Sequence, residues 1–240
     1  MSCIRLRPSF ATAFLLAMFS LISLRQNADS QDSSSSSSSI SPKAADNSSV
    51  SAGAINNGVY RNSFFGFACK IPAGWVLRTD EMNTQDRQAN PARPEETNRA
   101  DRTAEAGCPH TETCGRVLLA AFSRPPQAQG EDVNSSILIA AESVTAYPGL
   151  KDAAQYFGPV TEVAKAQGFE VDEEPYELTV GTKNLVRGDF EKDVGTRVMH
   201  QSTLVMLDHG YALSFTFIAG TEDEVDDLVG NLSLSHPPAR

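Results

Sequence analysis

Between positions 211 and 217 the chain alternates strictly: Tyr211, Leu213, Phe215 and Phe217 are separated by Ala212, Ser214 and Thr216. A period of two belongs to a strand, and here it puts three aromatics and a leucine on one sheet face. A slip of one residue would turn that whole set to solvent, so the strand requires a sheet of fixed register with one face covered. The run before it, 197–207, reaches residues 211–219 through Asp208-His209-Gly210, and the two read as a hairpin.

The same alternation occurs at 65–71, where Phe65, Phe67, Cys69 and Ile71 share one parity. Ile71-Pro72-Ala73-Gly74 then has the proline and glycine of a turn, and Trp75-Val76-Leu77 begins a returning strand. Runs at 116–122 and 137–144 suit central strands, and 176–180 with 185–191 form a hairpin around Gly181-Thr182-Lys183-Asn184. Helical spacing occurs twice. Val225, Leu228, Val229 and Leu232 fall at i, i+3, i+4 and i+7 behind a capping box of Thr221 and Glu224. Over 150–167 the stripe is Leu150, Ala153, Ala154, Phe157, Val160 and Ala164, but Gly158-Pro159 interrupts it, so a kink or two short helices are expected. Strands, helix, strands and helix joined by short turns imply an α+β fold, an antiparallel sheet flanked by helices.

The hydrophobic content, 40% of 240 residues, is low for a globular chain because the deficit is local. Residues 1–30 carry Arg5 and Arg7, a 14-residue apolar run at 11–24, and Ala28-Asp29-Ser30, the layout of a signal peptide. A retained anchor is the rival reading, but the run is too short for a bilayer and Arg25 closes it. From 31 to 58 there are seven consecutive serines and almost nothing to bury, which reads as a disordered tether or a glycosylated stalk. The folded part is expected over 59–236. Within it, 78–115 is a polar tract far longer than a usual connection, and it is read as a long loop that is either a binding element or disordered.

The formal charge is −10, and removing residues 1–30 takes three arginines and one aspartate, which moves it to −12. No basic footprint for nucleic acid exists, and anionic membranes would be repelled. The partners left are cationic or neutral, and no segment suits stable membrane insertion after export.

Residues that carry chemistry are few. In an exported chain Cys108 and Cys114 are disulfide candidates, closing a small ring at the base of the long loop. The alternative is a metal held by Cys108, His110 and Cys114, which lack zinc-finger spacing and a clear fourth ligand. Cys69 has core parity and reads as a buried thiol, with a disulfide to a loop cysteine left open. His110, His200, His209 and His236 do not sit in a recognisable nucleophile motif; His209 is in a turn, His236 in the tail, and His200 is mid-strand opposite the aromatic parity of its neighbour. Asp189, Glu191 and Asp193 share a strand face, but Val194 stands where a calcium loop needs glycine, so a solvated sheet face is expected. Glu222, Asp223 and Glu224 occupy a helix first turn, where they complement the dipole.

The opening Tyr60-Arg-Asn-Ser-Phe-Phe-Gly-Phe, followed by Ile71-Pro-Ala-Gly-Trp75, resembles the first strands of PsbP-like and Mog-like proteins. The resemblance continues through Gly168-Phe169, residues 181–190 and Phe215-Thr-Phe-Ile-Ala-Gly220, and covers about 59–235. It implies an α/β/α sandwich and, because members of that fold are largely binding or assembly factors, a non-enzymatic role. No ligand-contacting motif of either branch is matched, so the resemblance implies no catalytic residue and no cofactor. The expectation is an interaction or assembly module, periplasmic or extracellular, whose partner is another exported or envelope protein. The long loop at 78–115 is its expected contact surface. The alternative is an exported small-molecule or metal-binding protein.

Overall fold

Two tight turns set the registers from which the fold is built. In the computed structural model, which describes residues 53–89, 115–125, 128 and 133–234, Asn57 and Gly58 have φ of 52° and 71°, and His209 and Gly210 have 50° and 79°. Consecutive left-handed residues make the hairpin turn whose twist matches that of the flanking strands. The first joins β1 (Ala54–Asn56) to β2 (Val59–Asn62). β1 thus lies where the sequence reading has a disordered tether; the Asn-Gly pair at its end, a strong hairpin signal, is what converts 54–58 into structure.

A turn at 63–66 leads to β3 (Phe67–Lys70), and β11 (Leu232–Leu234) pairs on its other side, giving a small sheet in the order β1-β2-β3-β11. Phe65 is therefore in the turn, yet it stays buried with Phe67, Cys69 and Ile71, as the alternation requires. The larger sheet runs β4-β5-β6-β10-β9-β8-β7, with β4 (Val76–Leu77), β5 (Gly115–Phe122), β6 (Ser136–Ser143), β7 (Glu170–Val180), β8 (Lys183–Val194), β9 (Arg197–Asp208) and β10 (Tyr211–Ala219). All its pairings are antiparallel. The sequence reading has one sheet; the structure divides the strands into two. β4 joins the edge of the large sheet instead of returning along β3.

The aromatic face of β10 looks onto the small sheet. Phe215 meets Phe67 edge to face at 5.1 Å, and Leu213, Phe217, Leu204, Ile137 and Ile139 complete that layer. α3 (Glu222–Val229), capped by Thr221 Oγ1 accepting from Glu224 N, adds Val225 and Leu228 to it. On the opposite face lies α2 (Ala153–Ala166), which buries Tyr156, Phe157, Val160, Val163 and Ala164. It is one continuous helix with Pro159 inside, which excludes the two short helices of the expectation. Burial of that apolar side outweighs the roughly 3 kcal/mol that an interior proline costs. The Tyr147 and Tyr156 hydroxyls both donate to Glu142 Oε2, at 2.8 and 2.6 Å, tying the helix start to β6.

The expected long loop is also partly structured. Residues Thr79–Ala89 form α1, docked by Met82 among Val117, Ala120 and Phe122. Asn83 Oδ1 accepts from Val117 N at 3.1 Å and its Nδ2 donates to Val117 O at 2.9 Å, while Thr79 Oγ1 accepts from Ala120 N. Arg78 pairs with Glu81 at 2.5 Å across the first turn. A helix this polar is held by specific bonds to β5 in place of an apolar stripe.

Candidate functional site

The cysteine pair Cys108 and Cys114, with His110, lies outside the described residues, as does His236. Cys69 is a free thiol at 0% exposure, and burial pushes its pKa up to about 12, so it is no nucleophile at neutral pH. His209 sits in its turn with Nδ1 3.1 Å from Asp208 and its ring 4.9 Å from that of Phe64. Among the described residues no three potential metal ligands converge.

His200 differs from expectation. The two-residue turn pairs Tyr211 with Asp208, and the same register sets His200 against Ala219 and Ser202 against Phe217. His200 therefore shares the aromatic face instead of opposing it. The β7–β8 turn at Gly181-Thr182 likewise places Tyr176 across from Arg187, and Glu173 reaches Asp189 after a register shift. β8 and β9 then align Asp189 with Ser202. α3 packs on this face against β10 and β9, bringing Glu222, Val225 and Asp226 alongside. These groups enclose a cleft of about 200 Å³.

A polar network forms one wall of the cleft. Arg187 Nε donates to Asp189 Oδ2 at 2.9 Å and its Nη2 donates to Asp226 Oδ1 at 2.7 Å, linking β8 to α3. The Ser202 hydroxyl donates to Asp189 Oδ1. Asp189 is thus buried and engaged, and the solvated face expected for it holds only further along, at Asp193. Burial opposes the charge on Arg187, but the bond to Asp226 and the field of Asp189 outweigh it, and the net shift of its pKa is upward. Desolvation raises the Tyr176 pKa; Arg187 draws it down, and Asp189, Glu173 and Asp226 push it up. Asp172, Glu173 and Glu222 stand exposed at the rim without an ion-pair partner among the described residues. In all, five carboxylates face one guanidinium.

The cleft contains a serine, a histidine and an aspartate, but they are not wired for nucleophilic catalysis. A relay runs hydroxyl to imidazole to carboxylate. Here the hydroxyl bonds the carboxylate directly, and the His200 imidazole makes no hydrogen bond among the described residues. The chemistry on offer is electrostatic recognition. Sequence reasoning meets these residues as separate groups, since only the packing of α3 on β9 and β10, with the Arg187–Asp226 pair reaching β8, unites them. The Tyr176–Arg187 juxtaposition follows from the Gly181-Thr182 turn and was within reach.

No family model matches the chain, and no curated protein matches it. Among solved structures it is similar to the cyanobacterial PsbP (CyanoP) of Synechocystis, with 14% identity, coverage of 77% of this chain and 98% of that one, and a TM-score of 0.42. It is similar also to the Ran-binding protein Mog1p of Saccharomyces cerevisiae, at 12% identity, 76% and 86% coverage and a TM-score of 0.37. A third is LpqN of Mycobacterium tuberculosis, involved in cell envelope biogenesis, at 13% identity, 71% and 83% coverage and a TM-score of 0.34. At such scores no residue's role passes from those proteins to this chain. The PsbP-like and Mog-like proteins that the sequence resembles are both represented among these solved structures.

Proposed function

We propose that this chain is an exported, non-enzymatic interaction or assembly module whose contact surface is the face formed by β7, β8, β9 and α3. The observation that carries the reading is the cleft, with its surplus of carboxylates and its serine hydroxyl committed to Asp189. A site lined by one sign of charge concentrates partners of the other sign and speeds encounter with them. The partner on this reading is another exported or envelope protein with a basic or neutral surface.

Strand addition is disfavoured as the binding mode. β7 is an edge of the large sheet, but Pro175 lacks a backbone donor and two register shifts bend the strand near it. The opposite edge, β4, is only two residues long. Side chains rather than an exposed ladder therefore make the contact. No helix among the described residues is long and apolar enough to cross a membrane. The rival reading, a small-molecule protein, is weakened by size, because pockets for such ligands hold roughly 300–1,000 Å³ and this one holds about 200 Å³.

Photo-crosslinking in the native envelope tests the placement. A crosslinker at Glu173 or Glu222 should capture one reproducible protein, and the same group at Glu162, exposed on α2 across the sheet, should not. Equal capture from both faces, or none from the cleft, overturns the assignment.

A further inference from the structure

The chemistry of the cleft narrows what it holds. Its volume of about 200 Å³ is enough for one long side chain and lies below the roughly 300–1,000 Å³ of small-molecule pockets. Its inner carboxylates, Asp189 and Asp226, already grip a guanidinium, that of Arg187. Its outer ones, Asp172, Glu173 and Glu222, have no cation among the described residues. Tyr176 lines the same cleft opposite Arg187 on β8, and the charges of Arg187, Asp189, Glu173 and Asp226 act on its hydroxyl. An aromatic ring flanked by unpaired carboxylates is the environment that attracts a lysine or arginine head while its methylene stem packs on the ring.

One term opposes a cation. α3 begins at Glu222, and a helix N-terminus carries about half a positive charge. Glu222, Asp223 and Glu224 in that first turn exceed it severalfold, and Thr221 Oγ1 and Glu224 Oε2 already accept from the N–H groups of Glu224 and Gly220. The local sign is negative.

We infer that the cleft binds a single lysine or arginine side chain presented by a protein partner. This deepens the proposed contact face and rests on it. The test uses the full chain, isotope-labelled, titrated with acetyl-Gly-Arg-Gly-amide, acetyl-Gly-Lys-Gly-amide and, as the control, acetyl-Gly-Glu-Gly-amide. Both cationic peptides should shift the amide resonances of Ser202 and Asp226 saturably, the acidic one should not, and added salt should weaken the effect. Replacing the rim carboxylates (Asp172→Asn, Glu173→Gln, Glu222→Gln) should weaken binding about tenfold with an unchanged melting temperature, because all three are exposed. Absence of saturable shifts with both cationic peptides, or undiminished affinity in the triple variant, overturns the inference. Crosslinking from Glu173 without peptide binding would sink the cation and keep the contact face; peptide binding without a crosslinked partner would sink the face as a protein contact.

Discussion

Cys69 is an ordinary thiol by sequence, and its strand position gives it unusual behaviour. Burial raises its pKa from 9.0 to about 12, so the folded state keeps a proton that the unfolded chain gives up. The stabilisation is whole below 9.0 and is lost as pH rises toward about 12. Between about pH 8 and pH 10.5 the wild type should lose about 2 kcal/mol more than Cys69→Ala, read from urea melts of both. Gly188 makes a steric demand of its own: a Cβ there would stand 2.5 Å from a ring carbon of Phe157. Gly188→Ala should cost about 2 kcal/mol, visible as a lower melting temperature, because the Phe157 ring is itself buried and must shift against its neighbours to make room. The burial of Cys69 was legible from its parity alone. Phe157 was legible as a core residue, but its seat over Gly188 depends on how α2 crosses the sheet, which no local pattern encodes.

Among the elements, the hairpins were the most readable, since alternation and turn residues specify them locally. α1 was hidden because Met82 is the one hydrophobic residue buried among those of the helix whose side chains are described, and a single point has no period. β11 was hidden by length, as three residues cannot display alternation. α2 was readable as a helix, and of the two readings of Gly158-Pro159 the division into two short helices does not occur, since tertiary burial overrode the local cost of proline. That cost remains in the molecule. Pro159→Ala should restore a backbone donor and raise stability by about 2 kcal/mol, the helix gain less the entropy returned to the unfolded chain, as measured by denaturant midpoint.

For the molecule as a whole, the docking of α1 gives residues 79–89 of the polar tract a place against β5. Deleting residues 79–107 removes Met82 and both Asn83 bonds from β5, and should cost about 3 kcal/mol with exposure of Val117, Ala120 and Phe122. Deleting 90–107 leaves that contact in place and should cost far less; calorimetry on the two variants separates the cases. A comparison of partner binding that used only the larger deletion would confuse a lost surface with a loosened core. The cleft was the least legible feature of all, because its residues come from β7, β8, β9 and α3 and meet only once both sheets are assembled.

The pairing of β11 with β3 joins residues 165 positions apart, as in the bond from Ser233 Oγ to Ala68 O. A ladder closed over such a distance cannot form until both of its strands have left the ribosome. Until Leu234 is free, β3 has one open side and the aromatic face of β10 lacks part of its cover. The molecule is therefore timed by its own topology: it completes its second sheet only when the last strand arrives.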